Sequence, residues 1–328
     1  MNVLVRGLWG PGTGALPAPF PKGAALRPAA AGGAAFVLVD GAHPRSLGGV
    51  LAWALRYEAG EIHLLADSRE EIASLLARRA QAFALPVTVW QVVPPTLRLV
   101  TPAGFSPPPP LPSAAAPFAE VLRAAGVEPV VEFGVLTGEL LGLEVARVVI
   151  DGDGARLEVG VGSQDRTFHR DLEPDRAAPD VLAEVVAMIR RWRTPEGSAH
   201  LANSLAVERW LRHVVVARPD LVGAAWLAPM PPSVPRDDLR TSTAAMAAGV
   251  DVGGQPVVVA TSTGIDLDLV PAAADARRAG GLGDSARLIL ALPPGDDHPR
   301  TRQLAAALRE PAEVVTVPAG WKGLAGTL

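Results

Sequence analysis

The chain has 328 residues, of which 49% are hydrophobic, and 30 lysines and arginines against 34 aspartates and glutamates give a net charge of -4. This composition supplies apolar material for about two or three globular units, and it excludes a strong overall positive field that would collect nucleic acid, although a local basic groove remains an option. The absence of cysteine excludes disulfides, thiolate nucleophiles and metal sites built on thiolates.

Lysine is confined to Lys22 and Lys322, so nearly every positive charge in the chain is an arginine. We therefore expect neither a Walker A loop nor a Schiff-base lysine. The amino-terminal residues lack a basic segment followed by an apolar run, and no segment reaches the roughly 18 consecutive apolar residues that a membrane span needs. These features predict a cytoplasmic protein without a membrane partner, and they leave a homo-oligomer open.

Residues 1–33 are rich in glycine, proline and alanine, and we predict a leader or loop there. Over residues 34–100, the apolar runs "AAFVLVDG", "EIHLLAD" and "VTVWQVV" predict strands, and "SLGGVLAWALRYEAG" and "SREEIASLLARRAQAFA" predict helices. Ser68, with Glu71 three residues later, predicts a capping box at the second helix. This β-α-β-α-β order favours a parallel sheet with right-handed crossovers, which is a Rossmann-like unit.

A proline-rich linker, residues 101–117, separates this unit from a central α+β segment, residues 118–228. The central sequence predicts a helix, a strand at "PVVEFGV", a hairpin of "GLEVARVVI" and "ARLEVGVG" around "DGDG", a polar loop at "SQDR", two helices and a strand at "LVGAAWLAP". Residues 229–328 repeat the β-α-β-α-β order, from "PVVVATST" to "AEVVTVP". The predicted fold class is therefore α/β, with two flanking Rossmann-like units and a central α+β segment that contains a β-hairpin.

The hairpin determines how the two glutamates Glu144 and Glu158 are used, because residues two apart in a strand share a face. A loop of even length puts Glu158 on the face of Arg147 and predicts a cross-strand ion pair worth about 0.2–1 kcal/mol. A loop of three residues, or one bulge, puts Glu158 on the face of Glu144 and predicts an acidic pair that needs a metal ion or a shared proton. Even-length loops are the commoner kind and favour the ion pair.

The order of helix, three strands, helix and final strand, with Glu144 on the second strand and Glu158 on the third, resembles the core of the PD-(D/E)XK nuclease-like superfamily over residues 117–228. The resemblance implies that these glutamates bind Mg²⁺ or Mn²⁺, provided that they form an acidic pair. In that family a lysine usually follows the third-strand acid by two residues, but Gly160 stands at that position here. Arg166 can supply positive charge, although not a proton-shuttling amine. A nuclease-like segment that is non-catalytic or weakly catalytic is therefore expected.

In parallel α/β units, ligands bind beyond the carboxyl ends of strands, where the first turns of helices present free N–H groups. This rule selects polar residues after the first strand of each flanking unit as ligand-binding candidates. They are Asp40, Gly41, His43, Ser46, Thr263, Gly264, Asp266 and Asp268. Neither loop contains a G-x-G-x-x-G sequence, which opposes a standard dinucleotide site, and Asp266 alternatively caps the helix that follows it.

The leading functional hypothesis is a cytoplasmic protein with a nuclease-like, non-catalytic central segment and flanking units that bind a ligand or a partner. One alternative is an active metal-dependent nuclease or phosphodiesterase that uses Glu144, Glu158 and Asp165. Further alternatives are a sensor or enzyme that binds a nucleotide-like small molecule at the strand ends, and a purely structural assembly protein. The sequence leaves open whether the chain is an enzyme.

Overall fold

The computed structural model of the chain describes residues 14–152, 154–172, 176–195, 200–235, 243–283 and 285–324, with the backbone alone at residues 168–172. Within these ranges the chain is an α/β protein that contains three β-sheets. None of the helices in these ranges combines the length with the apolar character that crossing a membrane requires.

Contacts between residues divide the chain into two compact units. Unit 1 consists of Met1–Ser106, Ile265–Arg278 and His298–Glu313. Unit 2 consists of Pro107–Gly264, Ala279–Asp297 and Val314–Leu328.

The helices of the described ranges are 7 to 15 residues long. Their bounds are α1 Leu47–Arg56, α2 Glu70–Ala80, α3 Phe118–Ala124, α4 Gly162–Leu172, α5 Ala178–Trp192, α6 Val207–Ala217, α7 Leu269–Ala279 and α8 Pro299–Ala306. In α1, the buried residues Leu47, Val50, Leu51 and Ala54 are spaced three and four apart, which is the pattern of an amphipathic helix.

The start of α2 differs from the predicted capping box. Arg69 occupies the N-cap position without a side-chain hydrogen bond, while the Ser68 hydroxyl donates to the carbonyl oxygen of Arg69 over 3.1 Å. The predicted cap was therefore wrong, although the helix forms at the predicted place. Glu70 and Glu71 in the first turn interact favourably with the helix dipole instead.

A six-stranded sheet lies in unit 1, in the order β1-β2-β3-β4-β5-β6. Its strands are β1 Leu16–Ala18, β2 Gly23–Arg27, β3 Ala34–Val39, β4 Glu61–Ala66, β5 Val87–Val93 and β6 Thr96–Leu99. β3, β4 and β5 are parallel neighbours, as the predicted β-α-β-α-β order requires, and the other strands pair antiparallel. β1 and β2 lie within residues 1–33, where a leader or loop was predicted. β2 pairs with β3, and its residues Ala25 and Leu26 are buried, so this segment extends the sheet.

Two helices from the later part of the chain complete unit 1. Asp275 in α7 has a fully buried side chain that accepts hydrogen bonds from Arg78 at 2.9 and 2.8 Å and from Arg79 at 3.2 Å. Near α8, Phe83 and Leu308 form an isolated antiparallel bridge. The sequence grouped both helices with residues 229–328, whereas their contacts belong to unit 1.

Unit 2 contains a four-stranded antiparallel sheet in the order β10-β9-β8-β7. Its strands are β7 Glu128–Glu132, β8 Val135–Leu140, β9 Leu143–Asp151 and β10 Gly154–Val159. The stretch "PVVEFGV", predicted as one strand, spans a turn instead, and "LTGEL" continues as β8. The residues "SQDR", predicted as a polar loop, belong to the first turn of α4.

Two-residue turns join β7 to β8 and β8 to β9, and both use left-handed backbone. The φ angle is 51° at Phe133 and 75° at Gly134, and it is 50° at Leu141 and 76° at Gly142. Positive φ at both central residues is typical of the type I′ turn, whose twist matches that of the strands it joins. Asparagine and glycine are preferred there, so Phe133 and Leu141 occupy positions that disfavour large side chains.

A five-stranded sheet, also in unit 2, has the order β11-β12-β13-β14-β15. Its strands are β11 Ala224–Met230, β12 Ala245–Asp251, β13 Pro256–Thr261, β14 Arg287–Leu292 and β15 Glu313–Thr316. β13 and β14 are parallel, and β11, β12 and β13 pair antiparallel. β11, predicted as the last strand of the central segment, pairs in this sheet, and β12 was not predicted. Trp210, Leu211 and Val214 of α6 pack in its core.

Gly142→Ala tests the close contact between the β8–β9 turn and α6. A β-carbon at Gly142 would lie 2.3 Å from the carbonyl carbon of Arg209 and 2.5 Å from the backbone nitrogen of Trp210, at a φ of 76°. Because both the overlap and the left-handed backbone oppose alanine, we expect the free energy of unfolding to fall by about 2–4 kcal/mol. Urea unfolding followed by circular dichroism measures this loss.

Gly152→Ala is the matched control. Gly152 also lies in a hairpin turn, with a φ of 59°, but a β-carbon there would have no atom within 4 Å. We expect a loss of only about 1 kcal/mol, from the backbone conformation alone. Equal losses in the two variants would contradict the tight packing of the Gly142 turn on α6.

Candidate functional site

The β9–β10 hairpin has the register that an even-length loop predicts. Asp151 pairs with Gly154, and Glu158 lies directly opposite Arg147. The Arg147 guanidinium, however, binds Glu144: Nε donates to Oε1 over 2.8 Å and Nη2 donates to Oε2 over 2.9 Å. The expected cross-strand pairing is thus present in the backbone, while the bidentate ion pair forms within β9.

A β-bulge explains how Glu144 and Arg147 meet, since residues three apart in a regular strand point to opposite faces. Gly138 pairs with Ala146 and Glu139 pairs with Glu144, so Val145 is an additional residue in β9. Val145 and Ala146 are accordingly both buried in one apolar core. The bulge turns Glu144 to the face that carries Arg147, which is also the face of Glu158, as the bulge alternative predicted. Each of the two carboxylates, however, is paired with an arginine.

Arg166 in α4 binds the same carboxylate. Its Nη1 donates to Oε1 of Glu144 over 3.0 Å, and the Glu144 side chain is only 6% exposed. The hydrogen bonds from Glu144 raise the pKa of Arg147 above its usual value. One carboxylate therefore has two guanidinium partners.

Glu158 has a different partner. It accepts a hydrogen bond of 2.8 Å from Arg156, which also binds Asp151 over 2.6 Å. Within the described ranges, no group of three or more carboxylates and imidazoles is arranged to hold a metal ion. The candidate metal ligands Glu144 and Glu158 are thus each engaged by arginine.

A cavity of about 1110 Å³ lies in unit 2 beside Glu144. Its wall comes from β7, β8 and β9, the first turn of α4, α5, residues 200–205 and α6. The predicted candidates Glu144, Asp165 and Arg166 line it together with Arg147. Three of the four catalytic candidates therefore share one cavity, which Glu158 does not line.

Gly160 allows the chain to reverse from β10 into α4. Its φ is 139°, and a β-carbon there would lie 2.8 Å from the backbone nitrogen of Arg166. The carboxylate of Asp165 accepts a hydrogen bond of 2.8 Å from the Val161 nitrogen and so completes the turn. The space beside Gly160 is therefore occupied by the start of α4.

A buried ring of charges fixes α6 on the same face of the sheet. Arg209 donates to Glu132 over 2.6 Å and to Glu139, and Arg212 donates to Glu132 over 3.2 Å and to Glu139 over 2.6 Å. Burial alone would raise the pKa of Glu139, but Arg212 and Arg209 lower it below its usual value. The four formal charges of the ring sum to zero, which offsets part of the cost of burying them.

This ring was not predicted from the sequence, although the spacing of its residues is visible there. Arg209, Arg212 and His213 lie three and four apart and share a helix face, while Glu128 and Glu132 share a strand face. His213 Nδ1 lies 3.1 Å from Oε2 of Glu128, so the ring continues as a row along β7. Basic residues three and four apart in a predicted helix, together with acidic residues four apart in a predicted strand, are the sequence signal that could have revealed the ring.

Arg193 forms hydrogen bonds with the segment after position 200 that contributes to the cavity wall. Its guanidinium donates to the carbonyl oxygens of Leu141, Leu205 and Ala206 over 3.0, 2.9 and 3.3 Å, and to that of Ala202. Burial lowers its pKa to about 10, so it stays protonated at neutral pH. The residues that line the cavity after position 200 are thereby fixed to the β8–β9 turn.

The ligand-binding candidates of unit 1 are partly brought together. Arg45 binds Asp266 over 3.0 Å, and the Gly48 nitrogen in the first turn of α1 donates to Asp268 over 2.9 Å. Asp268 thus occupies the helix terminus at which a ligand was expected. Asp266 also accepts a hydrogen bond of 3.0 Å from the Asp268 nitrogen, in the turn before α7.

The remaining candidates lie in the loops around these contacts. The Ser46 hydroxyl accepts from the His43 nitrogen over 3.0 Å, and burial, with the nearby charges of Lys22 and Arg45, lowers the pKa of His43. Asp40 and Gly41 are exposed after β3. Two candidates follow β13 in unit 2, namely Thr263 and Gly264.

Comparison of the chain with protein-family models, with curated proteins and with solved structures found no match.

Glu139→Gln tests the buried ring. Because this change leaves Arg212, which is almost fully buried, with one carboxylate partner, we expect the free energy of unfolding to fall by about 3–5 kcal/mol. Urea unfolding measures it. Glu120→Gln, which removes an exposed pair with Arg123, is the control and should cost less than about 1 kcal/mol. A ring variant as stable as the control would refute the role of the ring.

Asp268→Asn tests the buried carboxylate beside α1. Burial raises the pKa of Asp268 from 3.8 to about 6, against the lowering effect of the Gly48 hydrogen bond. The folded state therefore favours the protonated acid, and the wild-type protein should lose about 2 kcal/mol relative to the variant as pH rises from 4 to 6. Unfolding at a series of pH values measures this. Asp40→Asn, in an exposed loop, should keep the wild-type profile, and a variant at 268 that also keeps it would contradict the assignment.

Proposed function

We propose that unit 2 binds an anionic small molecule in the cavity beside Glu144 and does not cleave phosphodiesters. The observation that carries this proposal is the convergence of Arg147 and Arg166 on one carboxylate at the cavity wall. The planar guanidinium matches carboxylate and phosphate groups in geometry and charge. A pair of arginines that already holds an internal anion is suited to an anionic ligand.

The donors are held in place before a ligand arrives. Arg147 is fixed by two hydrogen bonds to Glu144, and Arg166 lies one turn into α4, where the Asp165–Val161 hydrogen bond organises the helix start. Because little side-chain freedom would be lost on binding, this arrangement favours affinity.

The same contacts oppose metal-dependent catalysis. Two guanidinium groups next to Glu144 repel a divalent cation, and Glu144 would have to leave both of them to coordinate it. The position of the missing lysine is Gly160, where any side chain would collide with the start of α4. These observations support the non-catalytic interpretation of the nuclease-like segment.

The test is the affinity of the protein for inorganic phosphate at low ionic strength, measured by isothermal titration calorimetry. Arg166→Gln removes a guanidinium donor and should weaken phosphate binding by about tenfold or more. Glu144→Gln removes the competing negative charge and should strengthen binding by about tenfold. Thermal unfolding of each variant verifies that it is folded.

Glu158→Gln is the matched control, because Glu158 pairs with Arg156 and does not line the cavity. It should leave phosphate affinity unchanged. Incubation of the wild-type protein with Mn²⁺ and DNA or RNA should produce no cleavage. Cleavage that both Glu144→Gln and Glu158→Gln abolish would overturn the proposal in favour of an active nuclease.

A further inference from the structure

The cavity beside Glu144 has a mixed lining. Its charged side chains are Glu132, Glu144, Arg147, Asp165, Arg166 and Arg209, and Ser163 and Gln164 of α4 lie beside them in sequence. Its apolar side chains, called the apolar wall below, include Phe133, Val135, Met188, Leu201, Leu205 and Pro235. An inorganic anion would not use the apolar wall.

We propose that the ligand is an anionic group joined to a flat aromatic ring, as in a nucleoside monophosphate. This inference rests on the proposed function, since it assumes that an anion binds at the two arginines. It adds that a ring binds against the apolar wall and supplies most of the selectivity.

Donors for the anionic group are available without moving Glu144. Among the described residues, Arg166 has one hydrogen-bonded partner, through Nη1, so its Nε and Nη2 have no protein acceptor. Arg147 uses Nε and Nη2, so its Nη1 has none within the same part of the chain. A phosphate needs several donors, and these groups supply three in addition to the hydroxyl of Ser163.

Two side chains of the apolar wall are exposed. Met188 is 44% exposed and Leu201 is 63% exposed, and both line the cavity. Covering them with an apolar ligand surface is favourable because it removes their area from water.

The stacked rings of Trp192 and His200 adjoin the cavity through His200, and they favour an aromatic ligand over an alkyl chain. The rings of Trp192 and His200 are parallel within 9°, with centroids 4.5 Å apart, and Arg191 lies 5.2 Å from the Trp192 centroid. His200 lines the cavity. Its Nδ1 accepts from the Ala202 nitrogen over 3.1 Å, so the neutral imidazole carries its proton on Nε2 and can donate to a ring nitrogen or carbonyl.

Phe133 supplies a second aromatic surface at a position where the turn itself disfavours it. Its φ of 51° belongs to a turn residue for which asparagine is the better choice, yet Phe133 lines the cavity. Backbone strain of this kind is concentrated at ligand sites. A role in ring binding accounts for phenylalanine here, whereas turn formation does not.

The experiment compares the affinities of the full chain for AMP, ribose 5-phosphate, adenosine and octyl phosphate by isothermal titration calorimetry. AMP should bind about tenfold or more tightly than ribose 5-phosphate, because one stacked base adds that much. AMP should also bind more tightly than octyl phosphate. Arg166→Gln should reduce AMP affinity and leave the weak affinity for adenosine unchanged.

Phe133→Asn is the decisive variant, because asparagine suits the turn and the protein should fold at least as well. It should lower AMP affinity to near that of ribose 5-phosphate and leave ribose 5-phosphate unaffected. Trp226→Thr removes an exposed aromatic from β11, outside the cavity, and is the matched control with unchanged affinities.

Three outcomes would overturn the inference, and they are distinguishable from failure of the proposed function. Equal affinity for AMP and ribose 5-phosphate would show that no ring site exists, although anions bind. Tighter binding of octyl phosphate would show that the wall takes an alkyl chain. Absence of binding by every phosphate, inorganic phosphate included, would remove the proposed function as well.

Discussion

The buried ring of Glu132, Glu139, Arg209 and Arg212 is the interaction on which the structure of unit 2 depends. Taking four charged groups out of water carries a large desolvation cost, so the ring is stable only while each carboxylate keeps both guanidinium partners. This requirement fixes the rotation of α6 on the charged face of the four-stranded sheet. The apolar residues of the same helix pack in the core of the five-stranded sheet, so one helix positions both sheets and a wall of the cavity.

One additional residue in β9 determines the chemistry beside that wall. In a regular strand, Glu144 and Arg147 would project from opposite faces, and the carboxylate would enter the apolar core. The bulge at Val145 instead gives Glu144 three hydrogen bonds from arginine and gives the cavity a pair of guanidinium groups held at fixed positions. A local irregularity of the backbone, rather than a recognisable motif, thus creates the anion-binding character of the site.

How much could be predicted from the sequence depended on whether the deciding interactions were local. The parallel arrangement of β3, β4 and β5 was predictable, because apolar runs and amphipathic segments alternate there with clear lengths. The β7–β8 turn was hidden, because phenylalanine at a left-handed position extends the apolar run of a strand. The candidates Glu144, Asp165 and Arg166 were found by residue type. The pairing of Glu144 with Arg147 was not predicted, because the position of a bulge leaves no signal in residue spacing.

Contacts between residues far apart in sequence were equally hard to predict, and unit 1 contains an example with a consequence for folding. The helices α7 and α8 complete unit 1 from residues 265–278 and 298–313, and the Arg78–Asp275 pair spans 197 positions. When the first 106 residues leave the ribosome, the segments that cover their helices have not been made. At about 5–20 residues per second, translation needs on the order of 10–40 s more to deliver them. During that interval the faces of α1 and α2 that these late segments cover stay exposed, so unit 1 can complete its fold only after most of the chain has been made.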